Sequence, residues 1–241
     1  MASNLPPPPA LDDGALALFL DFDGTLVDIA PTPDGIFVPP GLADALLRLR
    51  DRLEGRLALV SGRSLEDLER HLGPLAIARA GSHGADCRLA DGSVLGQAAH
   101  CLDAQVLDEI AQFAAGRGFD LEHKTHGAAL HYRANPGLED AGLAFAGELA
   151  ECHCLTVKRG KCVIELVQRG ADKAAAVNRF MAVAPFAGAV PVFVGDDVTD
   201  EDGMRAASAL GGFGIAVGER QNDFARYFLE TTAAVQHWLG L

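Results

Sequence analysis

Two aspartates, Asp21 and Asp23, follow directly on the apolar run Leu16–Leu20, with Gly24 behind them. If the run is a strand, alternate spacing aims both carboxylates at one pocket. Gly24 then lets the chain turn sharply and open backbone N–H groups toward an anion. That is a suitable place for phosphoryl transfer; the plain alternative is an acidic turn after a core strand. Three later segments argue for the chemistry. Ser61, in Val60-Ser61-Gly62-Arg63, follows the apolar run Leu57–Val60 and precedes a helical pattern whose free N–H groups favour an anion. Lys173 opens another helical pattern, an electrostatically poor position for a cation unless an anion lies in front of it. Finally, Asp196, Asp197, Asp200, Glu201 and Asp202 crowd behind Val192–Val194 and Gly195. Uncompensated, those charges repel one another, and a bound divalent cation is the natural compensation. Oxygen ligands favour Mg²⁺, which takes few carboxylates, several waters and a phosphate oxygen.

These residues need a scaffold of strand ends, and the chain alternates short apolar runs with helical patterns, which indicates α/β architecture with a mainly parallel sheet. Strands are expected at Leu16–Leu20, Leu57–Val60, Ile77–Ala80, Val192–Val194 and Ile215–Val217. A helix is expected over Gly41–Arg52, and Ser64 with Asp67 has the form of a capping box opening a helix over Leu65–Leu72. Ala85 to Gly96 reads as a hairpin around Asp91-Gly92. From about Asp103 to Gly170 the rhythm changes. A helix carrying Val106, Leu107, Ile110 and Phe113 leads to strands near Leu121 and Leu130–Tyr132. A second helix near Leu138–Leu149 precedes strands near Leu155–Val157 and Val163–Val167. This is a separate small α+β unit, and an insertion that returns the chain to its starting point is well placed to act as a lid.

With 241 residues and 49% hydrophobic content the chain can bury a large core. The start carries Pro6–Pro9 and no apolar stretch, so residues 1–10 are expected to be a disordered extended tail rather than a signal peptide. No apolar run reaches membrane-spanning length. Five cysteines, an odd number with no export signal, suggest reduced thiols in a cytoplasmic protein. The triplet Cys152-His153-Cys154 lacks a second ligand pair at zinc-like spacing, and small core hydrophobes explain it as well. A net charge of −13 disfavours nucleic acid and anionic membranes as partners, so an anionic substrate must be held locally. The four lysines, Lys124, Lys158, Lys161 and Lys173, fall where substrate and phosphate contacts are expected. Solvated strand-end charge is the alternative for Lys158 and Lys161.

Asp-x-Asp-Gly-Thr after a strand, Ser after a second, Lys at a helix start and Gly-Asp-Asp-x-x-Asp after a late strand occur here in the chain order of the haloacid dehalogenase (HAD) superfamily. The resemblance spans essentially the whole chain. An insertion between the serine and lysine motifs resembles the cap of the sugar-phosphatase branch. The wording Ser61-Gly62-Arg63, Gly81-Ser82-His83-Gly84, Glu122-His123-Lys124, His131-Tyr132-Arg133 and Glu165 is similar to the trehalose-phosphatase family. The resemblance implies a Rossmann-like HAD core at residues 11–102 and 171–241, with an inserted α+β cap at 103–170. It implies Asp21 as nucleophile, Asp23 as general acid and then base, and Ser61 and Lys173 on the transferring phosphoryl oxygens. An aspartate two positions after the nucleophile argues against the ion-pump and dehalogenase branches. Mg²⁺ would be held by Asp21, the backbone carbonyl of Asp23 and Asp196, with Asp197 and Asp200 as further or outer ligands.

The implied substrate is trehalose 6-phosphate, whose leaving group is a neutral disaccharide that must be recognised through its hydroxyls. Glu122, Lys124, Arg133 and Glu165 suit that task; cross-strand ion pairing on an exposed sheet is the alternative. Gly62, Arg63, His83 and His131 are further substrate-contact candidates, and His126 is a weaker one, because a neutral histidine can simply satisfy a turn. Three rival readings remain open at this level. One is a phosphatase for sucrose or glucosylglycerol phosphate, another a phosphomannomutase-like phosphotransferase, and the third a catalytically silent phosphosugar-binding module. The expected assembly is a monomer acting on a small molecule.

Overall fold

The computed structural model describes residues 5–11, 16–30, 32, 35–96, 101–124, 126–160, 162–168, 170, 172–218, 220 and 222–241. Lys161 lies outside them. The chain divides into two compact units, Met1–Ala98 with Asp172–Leu241, and Ala99–Ala171 between them.

The first unit is built on a seven-stranded sheet. Its strands are β1 (Leu16–Leu20), β2 (Leu57–Val60), β3 (Ala78–Gly81), β4 (Asp86–Arg88), β9 (Val190–Gly195), β10 (Phe213–Val217) and β11 (Ala225–Leu229), in the order β11-β10-β9-β1-β2-β3-β4. All neighbours are parallel except β3 and β4. The central strands β1, β2, β9 and β10 are apolar along their whole length because both faces are covered. Leu18, Leu20, Leu59, Val192, Val194 and Ile215 pack with α1 (Leu42–Arg52), α2 (Leu65–Leu72) and α7 (Thr232–Leu239). Ala17, Phe19, Ala58, Val60 and Phe193 pack with α5 (Lys173–Met181) and α6 (Asp200–Ala209). The chain proceeds from β1 toward β2 and β3, then resumes at β9 on the other side of β1, so the strand order reverses between β1 and β9. In open α/β sheets ligands bind outside the carboxyl ends of the strands at such a point.

Several expectations need adjustment. The third strand starts one residue late, at Ala78, and β9 runs through Pro191, longer than its apolar core suggested. Of the capping box only half forms: Ser64 Oγ accepts the Asp67 N–H at 3.1 Å, while the Asp67 carboxylate is engaged by Arg63 and Arg70. Residues 5–11 are tied down rather than loose: the Phe228 N–H donates to the Pro6 carbonyl at 3.0 Å and the Trp238 indole to that of Pro9 at 2.7 Å. A proline segment lacks N–H donors yet keeps its carbonyls, so it can still accept from an open sheet edge such as β11.

The second unit has its own four-stranded antiparallel sheet in the order β5-β6-β8-β7. The strands are β5 (Asp120–Lys124), β6 (Gly127–His131), β7 (Leu155–Gly160) and β8 (Val163–Gln168). One face packs Ala128, Leu130, Ile164 and Leu166 against α3 (Ala104–Arg117) and α4 (Glu139–His153). Glu122, Ala129, Glu165 and Lys158 form a cross-strand row on the opposite face. Cys152 and Cys154 are exposed at the end of α4, where Cys154 takes a left-handed conformation, so they are not core residues. Among the described residues, no helix is long and apolar enough to cross a membrane.

Candidate active site

Register places the first two carboxylates. Leu20 lies opposite Val194, so Asp21 is level with Gly195 and Asp196 stands one residue beyond, each aspartate being the first residue past its strand, β1 or β9. The Asp21 N–H still donates to the Val194 carbonyl at 3.0 Å, which fixes the nucleophile candidate on the sheet rather than on a loop. Gly24 is required here twice over. It has φ +77°, and a Cβ at this position would lie 2.3 Å from Asp196 Oδ2.

Lys173, at the first position of α5, is buried, and its Nζ donates to Asp21 Oδ1 at 2.7 Å and to Asp200 Oδ1 at 2.5 Å. The anions anticipated in front of this helix start are therefore protein carboxylates. The helix is capped independently of the lysine, since Asp172 Oδ1 accepts the Ala175 N–H at 2.6 Å. Asp200 has both oxygens committed, because its Oδ2 accepts the Asp197 N–H at 2.9 Å. Asp21, Asp196 and Asp200 bring carboxylate oxygens within 4.8 Å of one another. Three carboxylates and one ammonium sum to −2 when all are ionised, the charge a divalent cation would neutralise. The Asp197 side chain is exposed and stands outside this cluster.

The electrostatics follow from that crowding. Burial raises the Asp21 carboxyl well above its ordinary value, and the Asp200 charge adds to the effect while Lys173 opposes it. Asp196 is pushed up to about 7, first by burial and then by Asp200. Burial alone would push the Lys173 ammonium down, but the charges of Asp200 and Asp21 outweigh it, and the net shift is upward. An all-oxygen set of three crowded carboxylates, with a net charge of −2 once Lys173 is counted, fits Mg²⁺.

The segment after β2 carries the next group. Ser61 is buried and its Oγ accepts the Arg63 N–H at 3.1 Å. A Cβ on Gly62 would sit 2.7 Å from the His83 ring, so that glycine allows the imidazole to lie against the turn. His83 and Ser82 both have positive φ, at 58° and 49°. Two consecutive non-glycine residues in the left-handed region are a costly arrangement of the kind that clusters at functional sites. The His83 N–H donates to the Ser61 carbonyl at 2.9 Å and that of Ser82 to the Arg63 carbonyl at 2.7 Å, which hold the strained turn against the serine segment. The Arg63 side chain turns inward, forming a bidentate pair with Asp23 at 2.6 and 2.7 Å.

In the second unit, Lys124 pairs with Glu165 and His131 Nε2 lies 2.8 Å from Glu122 Oε2. Hydrogen bonding from His131 lowers the Glu122 carboxyl, helped by the Lys124 charge and opposed by burial. Cross-strand pairing is thus present on this face, as the sequence allowed. His126 is buried in the turn between β5 and β6, whereas Arg133 is exposed beyond the end of β6. Sequence reasoning missed Asp67, the second carboxylate on Arg63, and Thr25, whose Oγ1 lies 3.5 Å from Asp196 Oδ1. The Arg63/Asp67 spacing of four was the available signal for the first.

Asp21 and Asp196 leave adjacent strand ends at the point of strand reversal, and buried Lys173 bridges Asp21 to Asp200 at the start of α6; the fold that carries them is of the HAD type. A HAD-superfamily phosphatase structure from Bacteroides thetaiotaomicron shares the fold, with a TM-score of 0.66 at 19% identity over 100% of this chain and 98% of that one. The trehalose-phosphatase family model matches residues 19–230, and the chain belongs to that family. It is 39% identical over 230 residues to a trehalose-6-phosphate phosphatase from Escherichia coli (strain K12), covering 93% of this chain and 85% of the relative. It is also similar to the crystal structure of a trehalose-6-phosphate phosphatase related protein, with a TM-score of 0.73, 25% identity, and coverage of 94% and 96%.

Proposed function

We propose that this chain is a Mg²⁺-dependent phosphatase that hydrolyses trehalose 6-phosphate to trehalose and phosphate through an aspartyl-phosphate on Asp21. The observation that carries the chemistry is the placement of Asp21 beside Asp196, with Lys173 bridging Asp21 and Asp200. Family membership and the E. coli relative support the substrate.

An Asp21 oxygen attacks phosphorus in line as the bond to the sugar oxygen breaks, and Asp23 gives that oxygen its proton. In the second half-reaction water attacks the same phosphorus, its proton passes to Asp23, and the Asp21 carboxylate departs. Ser61 and Lys173 hold the transferring oxygens, where charge spreads in a loose transition state. Asp21, Asp196 and the Asp23 carbonyl would hold Mg²⁺. Asp200, with both oxygens already committed, orients Lys173 and the Asp196-Asp197 segment instead. When bound, the ion would supply positive charge that offsets the phosphoryl oxygens and favours the ionised forms of Asp21 and Asp196. The cluster Glu122, Lys124, His131 and Glu165 supplies charged hydrogen-bonding groups for the disaccharide hydroxyls, with the second unit acting as a substrate-specificity cap.

Phosphate release from trehalose 6-phosphate, sucrose phosphate, glucosylglycerol phosphate and mannose phosphates, each with Mg²⁺ and with chelator, tests this reading. Metal-dependent preference for trehalose 6-phosphate is expected. Preference for another sugar would overturn the specificity assignment and leave the core chemistry, whereas no release from any would overturn both.

A further inference from the structure

Arg63 is engaged at every nitrogen of its guanidinium. Nε donates to Asp23 Oδ2 at 2.6 Å and Nη2 to Asp23 Oδ1 at 2.7 Å, while Nη1 pairs with Asp67 and lies 3.3 Å from His71 Nε2. The plane is further fixed by the Phe22 ring, whose centroid is 5.9 Å from the guanidinium carbon. Asp67 is anchored in turn: its N–H is capped by Ser64, and its Oδ1 accepts from Arg70 at 2.7 Å. The Arg63 side chain is 9% exposed, against 32% for Asp23. The arginine is thus the buried, fixed partner and the aspartate the one with access to solvent.

We propose that Arg63 is a positioning residue for Asp23, clamping its carboxylate in plane and anchored for that purpose by Asp67, and that it makes no contact with substrate. This rests on the reading of Asp23 as acid and base. A bidentate fork fixes orientation as well as distance, which a point charge does not. Asp23 must serve two proton transfers from one location, to the leaving sugar oxygen and then from water. During each, one of its oxygens turns to the reacting group and leaves the other to Arg63. Because Asp67 holds the guanidinium independently, the clamp stays in place while half of it opens. The sequence reading assigned Arg63 to substrate binding; the engagement of all three of its nitrogens by Asp23, Asp67 and His71 assigns it to the chemistry of the leaving group instead.

The test compares Arg63→Met, Arg63→Lys and Asp67→Asn with the unmodified enzyme on trehalose 6-phosphate and on p-nitrophenyl phosphate, whose leaving group departs as an anion without a proton. For Arg63→Met, kcat on the sugar phosphate falls about 100-fold, the scale of a lost general acid and base, with little change in KM. On the aryl phosphate, nitrophenolate appears in a rapid burst of one per site followed by slow turnover, as phosphoryl-Asp21 waits for activated water. Arg63→Lys and Asp67→Asn show the same pattern with smaller losses. Thermal melts identify a variant that fails to fold, in which case the remaining two decide. A raised KM with unchanged kcat, or a burst slowed as much as sugar-phosphate turnover, would overturn the assignment. If the unmodified enzyme releases no phosphate, or Asp21→Asn retains turnover, the underlying reading fails and takes this one with it.

Discussion

Replacing Lys173 by Met tests the electrostatic design of the core site. Lys173 Nζ lies 2.7 Å from Asp21 Oδ1 and 2.5 Å from Asp200 Oδ1, and its side chain is 3% exposed. At an effective dielectric of ~20, each contact has a gross attraction of about 6 kcal/mol. Burial of the charges offsets much of that, so leaving the carboxylates without their partner costs about 3–5 kcal/mol net. In a domain of this size that corresponds to a Tm lowered by ~6–20 °C. The loss depends on pH with a definite sign. Asp21 and Asp196 are already raised in the folded protein, the latter to about 7, and both rise further without Lys173. The folded form then binds more protons than the unfolded one, so stability falls as pH rises from the ordinary aspartate range, near 4, through about 7 and above. Melts in chelator at pH ~5.5 and ~8 should show the larger loss at the higher pH. Adding Asp200→Asn to Lys173→Met, or adding Mg²⁺ at pH ~8, should restore part of it. A loss that is equal at both pH values, or that Asp200→Asn deepens, would refute the reasoning and reduce Lys173 to a packing residue.

Two further substitutions probe geometry. Gly24→Ala forces a Cβ within 2.3 Å of the Asp196 carboxylate at a backbone φ of +77°; Mg²⁺ titrations should show weakened activation and at least ~10-fold lower kcat, and unchanged kinetics would contradict the close approach. Lys124→Ala should depress kcat/KM for trehalose 6-phosphate by ~10-fold or more and leave p-nitrophenyl phosphate nearly unaffected. Equal losses would mean that Lys124, through its pair with Glu165, is structural.

Much of the fold was legible because fully buried parallel strands announce themselves as unbroken apolar runs: Leu16–Leu20, Leu57–Val60 and the helix Leu65–Leu72 fall where the pattern puts them. Ala225–Leu229 went unseen as β11, since an edge strand carrying exposed Arg226 has neither the alternation nor the apolar run of a central one. The Pro6–Pro9 segment has a composition that reads as free, and its anchoring depends on acceptors meeting Phe228 and Trp238 from the far end of the chain. The same limit applies within the site. Carboxylates at strand ends are visible in sequence because strand order sets them side by side. The partner choice of Arg63, 40 residues from Asp23, is decided by tertiary packing and has no local signature. The commitment of both Asp200 oxygens is likewise a property of the folded loop.

The central claim is that Asp21 accepts the phosphoryl group of trehalose 6-phosphate. Acid quench of the enzyme within a single turnover on that substrate with Mg²⁺, followed by mass spectrometry of the peptide spanning Leu16 to Leu26, reads it directly. A phosphoryl adduct on Asp21, absent with chelator and absent in Asp21→Asn, is the predicted result. Phosphate release at full rate with no adduct on Asp21 at any quench time, or with turnover retained in Asp21→Asn, would contradict it.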